Sequence, residues 1–196
     1  HQKRLSNGLQ KLAFSGVEKL TEKWLSDSIF QILEANHLAE SARIKLIFWR
    51  KDGGLYAPTN QGFNYLLIAK PHTLQTQIPS LKAGFCQSVK NVFHSISGFK
   101  SLSSLHYTVA ALEAKERQLD ELVILSASSF VSECLSSNIF WLKNATFYTP
   151  SAKTGCIEGI RREAVRQSLR KEGYLVRRKM ARKAELLQAD FVFTAN

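Results

Sequence analysis

An α+β fold in two parts is what the sequence predicts, and three observations predict it. Apolar residues recur at helical spacing from Leu5 to Leu33, then two β-branched and aromatic runs follow with a glycine-rich loop between them. After Glu116 the texture changes to short apolar runs at hairpin spacing, broken by one amphipathic helix that a glycine stops. An α/β amino-terminal unit to about residue 88, a linker over 89–98 and an α+β unit over 99–196, rich in antiparallel strands, is the expected division.

Arg4–Val17 and Val17–His37 read as two helices parted near Gly16, with Leu5, Leu9, Leu12 and Phe14 on the first and Leu20, Trp24, Leu25, Ile29, Ile32 and Leu33 on the second. "ARIKLIFWRK" (Ala42–Lys51) and "NYLLIAKP" (Asn64–Pro71) read as strands bounded by "DGG" and proline. "SVKNVFHS" is a weaker strand. "GFKSLSSLHYTVAALEAKE" carries a serine cap and Leu102, Leu105, Val109 and Leu112 at helical spacing. "DELVILSA", "SFVSE", "NIFWLKN" and "TFYTP" read as strands, Glu158–Glu172 as a helix ended by Gly173, "YLVRRKM" as a strand, "RKAELLQA" as a short helix and "DFVFTAN" as a last strand.

The 44% hydrophobic content over 196 residues is enough for a buried core. No uncharged apolar run reaches the roughly 18 residues of a membrane helix, and "HQKRLSNGLQ" lacks the apolar centre of a signal peptide. A cytoplasmic protein with no membrane partner is the expectation. Cys86, Cys134 and Cys156 are odd in number and lack CxxC spacing, which argues against a disulfide framework and a structural zinc site, so no metal is expected. The net charge of +11 invites a polyanion, but Lys153–Lys183 holds eleven Lys and Arg against three Glu. A run of that kind reads as a solvated helix face, and no nucleic-acid partner is expected.

Three places carry possible chemistry. Lys100 follows "SGF" and immediately precedes the predicted helix; it is either a solvated lysine or an amine that forms a Schiff base. Glu133, in "SECLSSNIF", is either an exposed edge-strand carboxylate or a buried one that needs a cation or donors beside it. "TGCIEGIRREA" places Gly155 and Gly159 around a helix start, where free backbone amides favour an anion and Arg161 and Arg162 add charge.

Together, "GFKSL", "DELVILSASSFVSECLSSNIFWLKNATFYTP" and "GCIEGIRREAV" resemble, in order and spacing, the class IV aminotransferases. "HQKRL" is similar to that family's H-x-x-R-L segment, and "ADFVFTAN" extends the likeness to the end of the chain. The resemblance implies a two-domain fold type IV enzyme with pyridoxal 5′-phosphate, a small α/β domain and a larger one with an antiparallel pseudo-barrel. It also implies a homodimer, and segments before His1 and after Asn196. Lys100 would form the Schiff base and carry the proton at the substrate α-carbon, and Glu133 would keep the pyridine nitrogen protonated. Arg4 and the amides of Ile160 and Arg161 would hold the phosphate, Asn138 and Gly159 would shape the loop, and Lys45 and Arg50 would face the substrate carboxylates. Where the family usually has threonine or serine this chain has Arg161, and where it usually has proline or asparagine this chain has Glu158.

The activity implied is amino-group exchange between an amino acid and a 2-oxo acid. The runner-up is aminodeoxychorismate lyase, which eliminates pyruvate to give 4-aminobenzoate for folate synthesis. "ECLSSNIFW" and Lys45 lean towards the lyase; Leu55, where lyases often carry arginine after "GG", leans away. A third reading, from another class, is a basic binding module without catalysis.

Overall fold

The computed structural model describes residues 1–38, 41–73 and 80–196. It divides into two compact units, His1–Pro79 and Ser80–Asn196.

The first unit opens with helix α1 (Gln2–Lys11), a 3₁₀ turn at Val17–Lys19 and helix α2 (Glu22–Ala35). Both helices are shorter than the apolar spacing predicts. The chain turns through positive φ at Ala13 and Gly16, which ends the first, and Thr21 caps the second by accepting from the Trp24 amide at 3.1 Å. Strands β1 (Ala42–Arg50) and β2 (Phe63–Pro71) pair antiparallel in unbroken register, Phe48 opposite Tyr65 and Lys45 opposite Ile68. Leu9, Val17 and Leu20 form the buried core, with Phe14, Trp24, Phe48 and Phe63 packed around it.

The second unit begins with strand β3 (Ala83–Phe85) and helix α3 (Leu105–Glu116), then β4 (Glu121–Leu125), β5 (Val131–Cys134), β6 (Asn138–Lys143) and β7 (Thr146–Pro150). Helix α4 (Ile160–Lys171), β8 (Leu175–Lys179), helix α5 (Lys183–Leu187) and β9 (Phe191–Ala195) complete it. One sheet has the order β3-β4-β5 and the other β8-β7-β6-β9. The β6–β7 hairpin turns on Asn144 and Ala145, both at positive φ, as a two-residue turn matched to strand twist requires. The β3–β4 and β7–β8 pairs are parallel, so the unit is less purely antiparallel than the hairpin spacing suggests.

Strand β4 explains the core. Val123 packs with Val131, Cys134, Ile139 and Trp141, while Leu122 and Ile124 pack against Cys86, Ala110 and Ala114 beneath α3. A strand covered on both faces reads as a continuous apolar run, and "ELVIL" does. Residues 80–88 belong with this unit because β3 pairs with β4, whereas the sequence reading joins them to the first. The strand expected at "SVKNVFHS" reduces to a single bridge, Asn91 opposite Ser126. Helix α4 corrects the reading of the charge run: its buried residues are Arg162 and Arg166, at i and i+4, so part of that run faces inward.

Candidate active site

Glu133 is 3% exposed on β5, opposite Ile124, on the face that packs under α3. Its Oε1 accepts from the Tyr107 hydroxyl at 2.6 Å and from Asn91 Nδ2 at 2.7 Å; its Oε2 accepts from the Ile157 amide at 3.0 Å. All three donors are neutral. Burial pushes the carboxyl upward, against the pull of Tyr107, Ile157 and Asn91 and the charge of Arg162. Burial, followed by the charge and hydrogen bond of Glu133, also pushes the Tyr107 phenol upward.

The segment that donates the Ile157 amide is shaped by close approaches. Gly155 adopts φ +84°, and a Cβ there would lie 2.9 Å from the Val92 carbonyl carbon. A Cβ on Gly159 would lie 2.1 Å from Asn138 Oδ1, so only glycine fits both positions. Asn138, at the start of β6, donates from Nδ2 to the Ile157 carbonyl at 2.8 Å. The next amide, of Glu158, donates to the Gly98 carbonyl at 2.9 Å. Successive amides therefore tie Glu133 and the Gly98–Lys100 loop to one short segment.

Lys100 is exposed on that loop. Helix α3 starts only at Leu105, so Lys100 does not immediately precede a helix as the sequence reading has it. Gly159 is the N-cap of α4 and has no side chain to cap it, which leaves the first-turn amides, including those of Ile160 and Arg161, without a side-chain acceptor. Ile160 is half-buried and the Arg161 side chain is exposed.

The second unit thus brings Glu133, Asn138, Gly159, Ile160, Arg161 and the Lys100 loop together. Arg4, Lys45 and Arg50 lie in the first unit. Arg4 is half-buried on α1, and burial lowers its pKa. Lys45 and Arg50 stand on opposite faces of β1, as an odd separation along a strand requires. Lys45 is exposed, but Arg50 is committed elsewhere: its guanidinium donates to the Leu12 carbonyl and Gln61 Oε1 and lies 4.2 Å from the Phe14 ring centroid.

Two residues escape the sequence reading, and a third, Arg162, read there as charge beside the helix start, proves to be buried. Tyr107 and Asn91 hold Glu133. Arg162, 2% exposed, donates from Nε to Thr149 Oγ1 at 3.2 Å and from Nη2 to the Pro150 carbonyl, fastening the first turn of α4 to β7. Its burial depresses its pKa. The signal for Arg162 is its i, i+4 spacing from Arg166 on a helix whose apolar face is thin.

The profile of the amino-transferase class IV family matches residues 1–196. The chain belongs to that family. This class IV chain is 27% identical over 162 residues to the aminodeoxychorismate lyase of Vibrio harveyi, covering 80% of the chain and 60% of the lyase. It is 23% identical over 203 residues to the branched-chain-amino-acid aminotransferase of Escherichia coli K12, covering 98% of the chain and 64% of that protein. The class IV chain therefore spans less than two thirds of the length of either relative. Among solved structures, a branched-chain aminotransferase of Thermoproteus uzoniensis with norvaline superposes at TM-score 0.86 with 24% identity, over 99% of the chain and 66% of that protein. A putative 4-amino-4-deoxychorismate lyase of Legionella pneumophila also gives 0.86, at 19% identity, over 99% and 71%. The fold is accordingly that of the fold type IV aminotransferases.

Proposed function

We propose that the protein is a pyridoxal-5′-phosphate-dependent aminotransferase, exchanging an amino group between an amino acid and a 2-oxo acid. The observation that carries the reading is Glu133: a 3%-exposed carboxylate with three neutral donors, linked through the Ile157 and Glu158 amides to the Lys100 loop and to an uncapped helix start. Such a carboxylate suits a cationic ring nitrogen. The donor set fits the cofactor at both ends, because the free first-turn amides suit its phosphate. Bound there, pyridoxal phosphate would supply an electron-accepting ring and a carbonyl reactive towards amines.

In this reading Lys100 takes and returns the proton at the substrate α-carbon, and Glu133 holds the proton on the ring nitrogen. The amides of Ile160 and Arg161 hold the phosphate, with Arg4 adding charge. Asn138 and Gly159 shape the segment that presents those amides. Lys45, exposed on β1, remains the candidate for a substrate carboxylate, while Arg50 supports the loop that follows it. We also read the protein as a cytoplasmic homodimer. The exposed row Leu105, Val109 and Leu112 along α3, with Leu102 in the loop before it, offers apolar surface for pairing, and three unpaired cysteines suit a reducing compartment.

The similarity to the Vibrio harveyi lyase over 80% of the chain supports a second reading, aminodeoxychorismate lyase. Incubation with aminodeoxychorismate, and separately with branched-chain amino acids and 2-oxoglutarate, distinguishes the two, and product from neither removes both substrate assignments. The cofactor reading has its own test. Added pyridoxal phosphate gives a visible absorption band that Lys100→Ala abolishes; an unaltered protein that develops no band defeats it, and salt-sensitive polyanion binding in its place would favour a basic binding module.

A further inference from the structure

Glu133 is held asymmetrically. A carboxylate oxygen offers about two acceptor positions. Among the described residues, both on Oε1 are taken, by Tyr107 at 2.6 Å and Asn91 at 2.7 Å, and on Oε2 one is taken, by the Ile157 amide at 3.0 Å. We propose that Tyr107 and Asn91 are positioning residues that turn the one free acceptor site of Glu133, on Oε2, towards the ring nitrogen of the cofactor. The proposal rests on the cofactor reading above and goes beyond it by naming the oxygen and the residues that select it.

Neither donor is free to let go. Asn91 is fixed by its backbone, donating to the Leu125 carbonyl at 2.9 Å and accepting from the Ala127 amide at 2.8 Å. Its Nδ2 serves two acceptors at once, Glu133 Oε1 and Ser132 Oγ at 3.1 Å, while that hydroxyl donates onward to the Thr154 carbonyl at 3.0 Å. Flipping the amide would set Asn91 Oδ1 against the carboxylate and leave Ser132 without its donor. As placed, Asn91 Oδ1 is buried without a partner among the described residues, a cost accepted in favour of the two donated bonds. Tyr107 is carried by α3 and packs on the Cys86, Ala110 and Leu122 core, so its hydroxyl is aimed by a rigid element.

The groups that surround Glu133 define what these donors accomplish. Tyr107 faces it from α3, Cys156 from the segment before α4 and Arg162 from α4 itself, the last being, among the described residues, the one cation whose charge favours the carboxylate. Burial already favours the protonated acid. With either donor removed, Glu133 would bind a proton of its own more tightly, and a protonated carboxyl cannot hold the proton of the ring nitrogen.

The test uses the whole protein carrying ¹³C-carboxyl glutamate, titrated by NMR with and without pyridoxal phosphate labelled with ¹⁵N at its ring. Tyr107→Phe keeps the ring packing, and Asn91→Ala serves as the second variant. The expected result is a Glu133 midpoint raised by about one to two pH units in each variant, the value of one hydrogen bond to a charged group. The ¹⁵N resonance of bound cofactor should move towards the unprotonated position at the same pH. A merely structural role would lower the thermal midpoint and leave both spectra unchanged, and that outcome overturns the proposal. If the unaltered protein binds no pyridoxal phosphate, the cofactor reading falls, while the carboxyl titration still decides whether Tyr107 and Asn91 control Glu133.

Discussion

Helix α3 touches two enclosed carboxylates and treats them in opposite ways. Near its amino end, Tyr107 meets Glu133, whose donors are all uncharged and whose pKa is raised. Near its carboxy end, Glu113 accepts from the Gln87 and Ser88 amides at 2.8 to 3.0 Å and pairs with Arg117. Burial would raise Glu113, but the bonds from Ser88, Gln87 and Arg117 bring it down to about 2. Three donors therefore do not by themselves decide a carboxylate's character; what decides is whether they outweigh its burial, as they do at Glu113 and do not at Glu133. Glu113 has an internal cation and fastens residues 86–88 to the helix. Among the described residues Glu133 lacks a hydrogen-bonded one and, on the proposed reading, keeps an acceptor site for a cation from outside.

The largest expected effect tests the Glu133 side. Glu133→Gln should lower cofactor-dependent turnover by about 10³-fold, roughly 4 kcal/mol of barrier. It should do so with only a small loss of stability. A carboxyl raised on folding stabilises the protein only while protonated, and that contribution is lost as pH rises through its folded value. At neutral pH, thermal unfolding of Glu133→Gln should thus fall by no more than the one bond from the Ile157 amide that a glutamine nitrogen cannot accept. A large drop in midpoint would mean that Glu133 is a structural carboxylate like Glu113.

Glu121 sharpens the contrast, being 4% exposed and, among the described residues, likewise without a hydrogen-bonded cation. Its Oε1 accepts from the Leu122 and Leu135 amides at 2.9 and 2.8 Å, and its Oε2 from the Ser136 and Ser137 hydroxyls at 3.3 and 3.2 Å. Every acceptor site is used, three of them by the turn between β5 and β6. Glu121→Ala orphans the Leu122 amide, while the Leu135 amide keeps the Leu122 carbonyl at 2.9 Å, and should cost about 2 kcal/mol in urea unfolding, at roughly 1 to 3 kcal/mol per unsatisfied group. Cofactor absorbance per folded molecule should not change.

Glu113 gives the next effect. Its folded pKa lies near 2 against an ordinary 4.5, so its contribution is present above pH 4.5 and lost as pH falls towards 2. The loss should amount to about 3 kcal/mol, and Glu113→Gln should flatten the stability curve over that window. A curve unchanged by Glu113→Gln would mean that Glu113 does not lose its proton in that window as its folded pKa requires.

These three carboxylates also show what a sequence discloses. Glu133 is legible because a carboxylate among "FVSEC" interrupts an apolar strand. Its donors are not, because Asn91 and Tyr107 lie 42 and 26 positions away and only packing brings them in. Strands β1, β2, β4 and β6 are legible from their own apolar runs. Strand β3 is not, since three residues with a central glycine have no pattern of their own and are held by parallel pairing with β4. The burial of Arg162 was hidden for a different reason: charge in a helix is read as surface, whereas here β7 offers the Thr149 hydroxyl and the Pro150 carbonyl to receive it.

The smallest effect bears on how the external cation's site is presented. Asn138 touches none of the three carboxylates; it holds the Ile157 carbonyl at 2.8 Å, one peptide away from the amide that Glu133 accepts. Asn138→Ala removes one hydrogen bond, worth about 1 kcal/mol. If Glu133 and the α4 start act as one presented surface, that loss should appear as a severalfold weaker affinity for pyridoxal phosphate, read by absorbance titration. The acid unfolding governed by Glu113 should not shift. If Asn138→Ala instead lowers stability with unchanged cofactor affinity, the Ile157 segment is scaffold alone, and the distinction between the two ends of α3 stops at Glu133 itself.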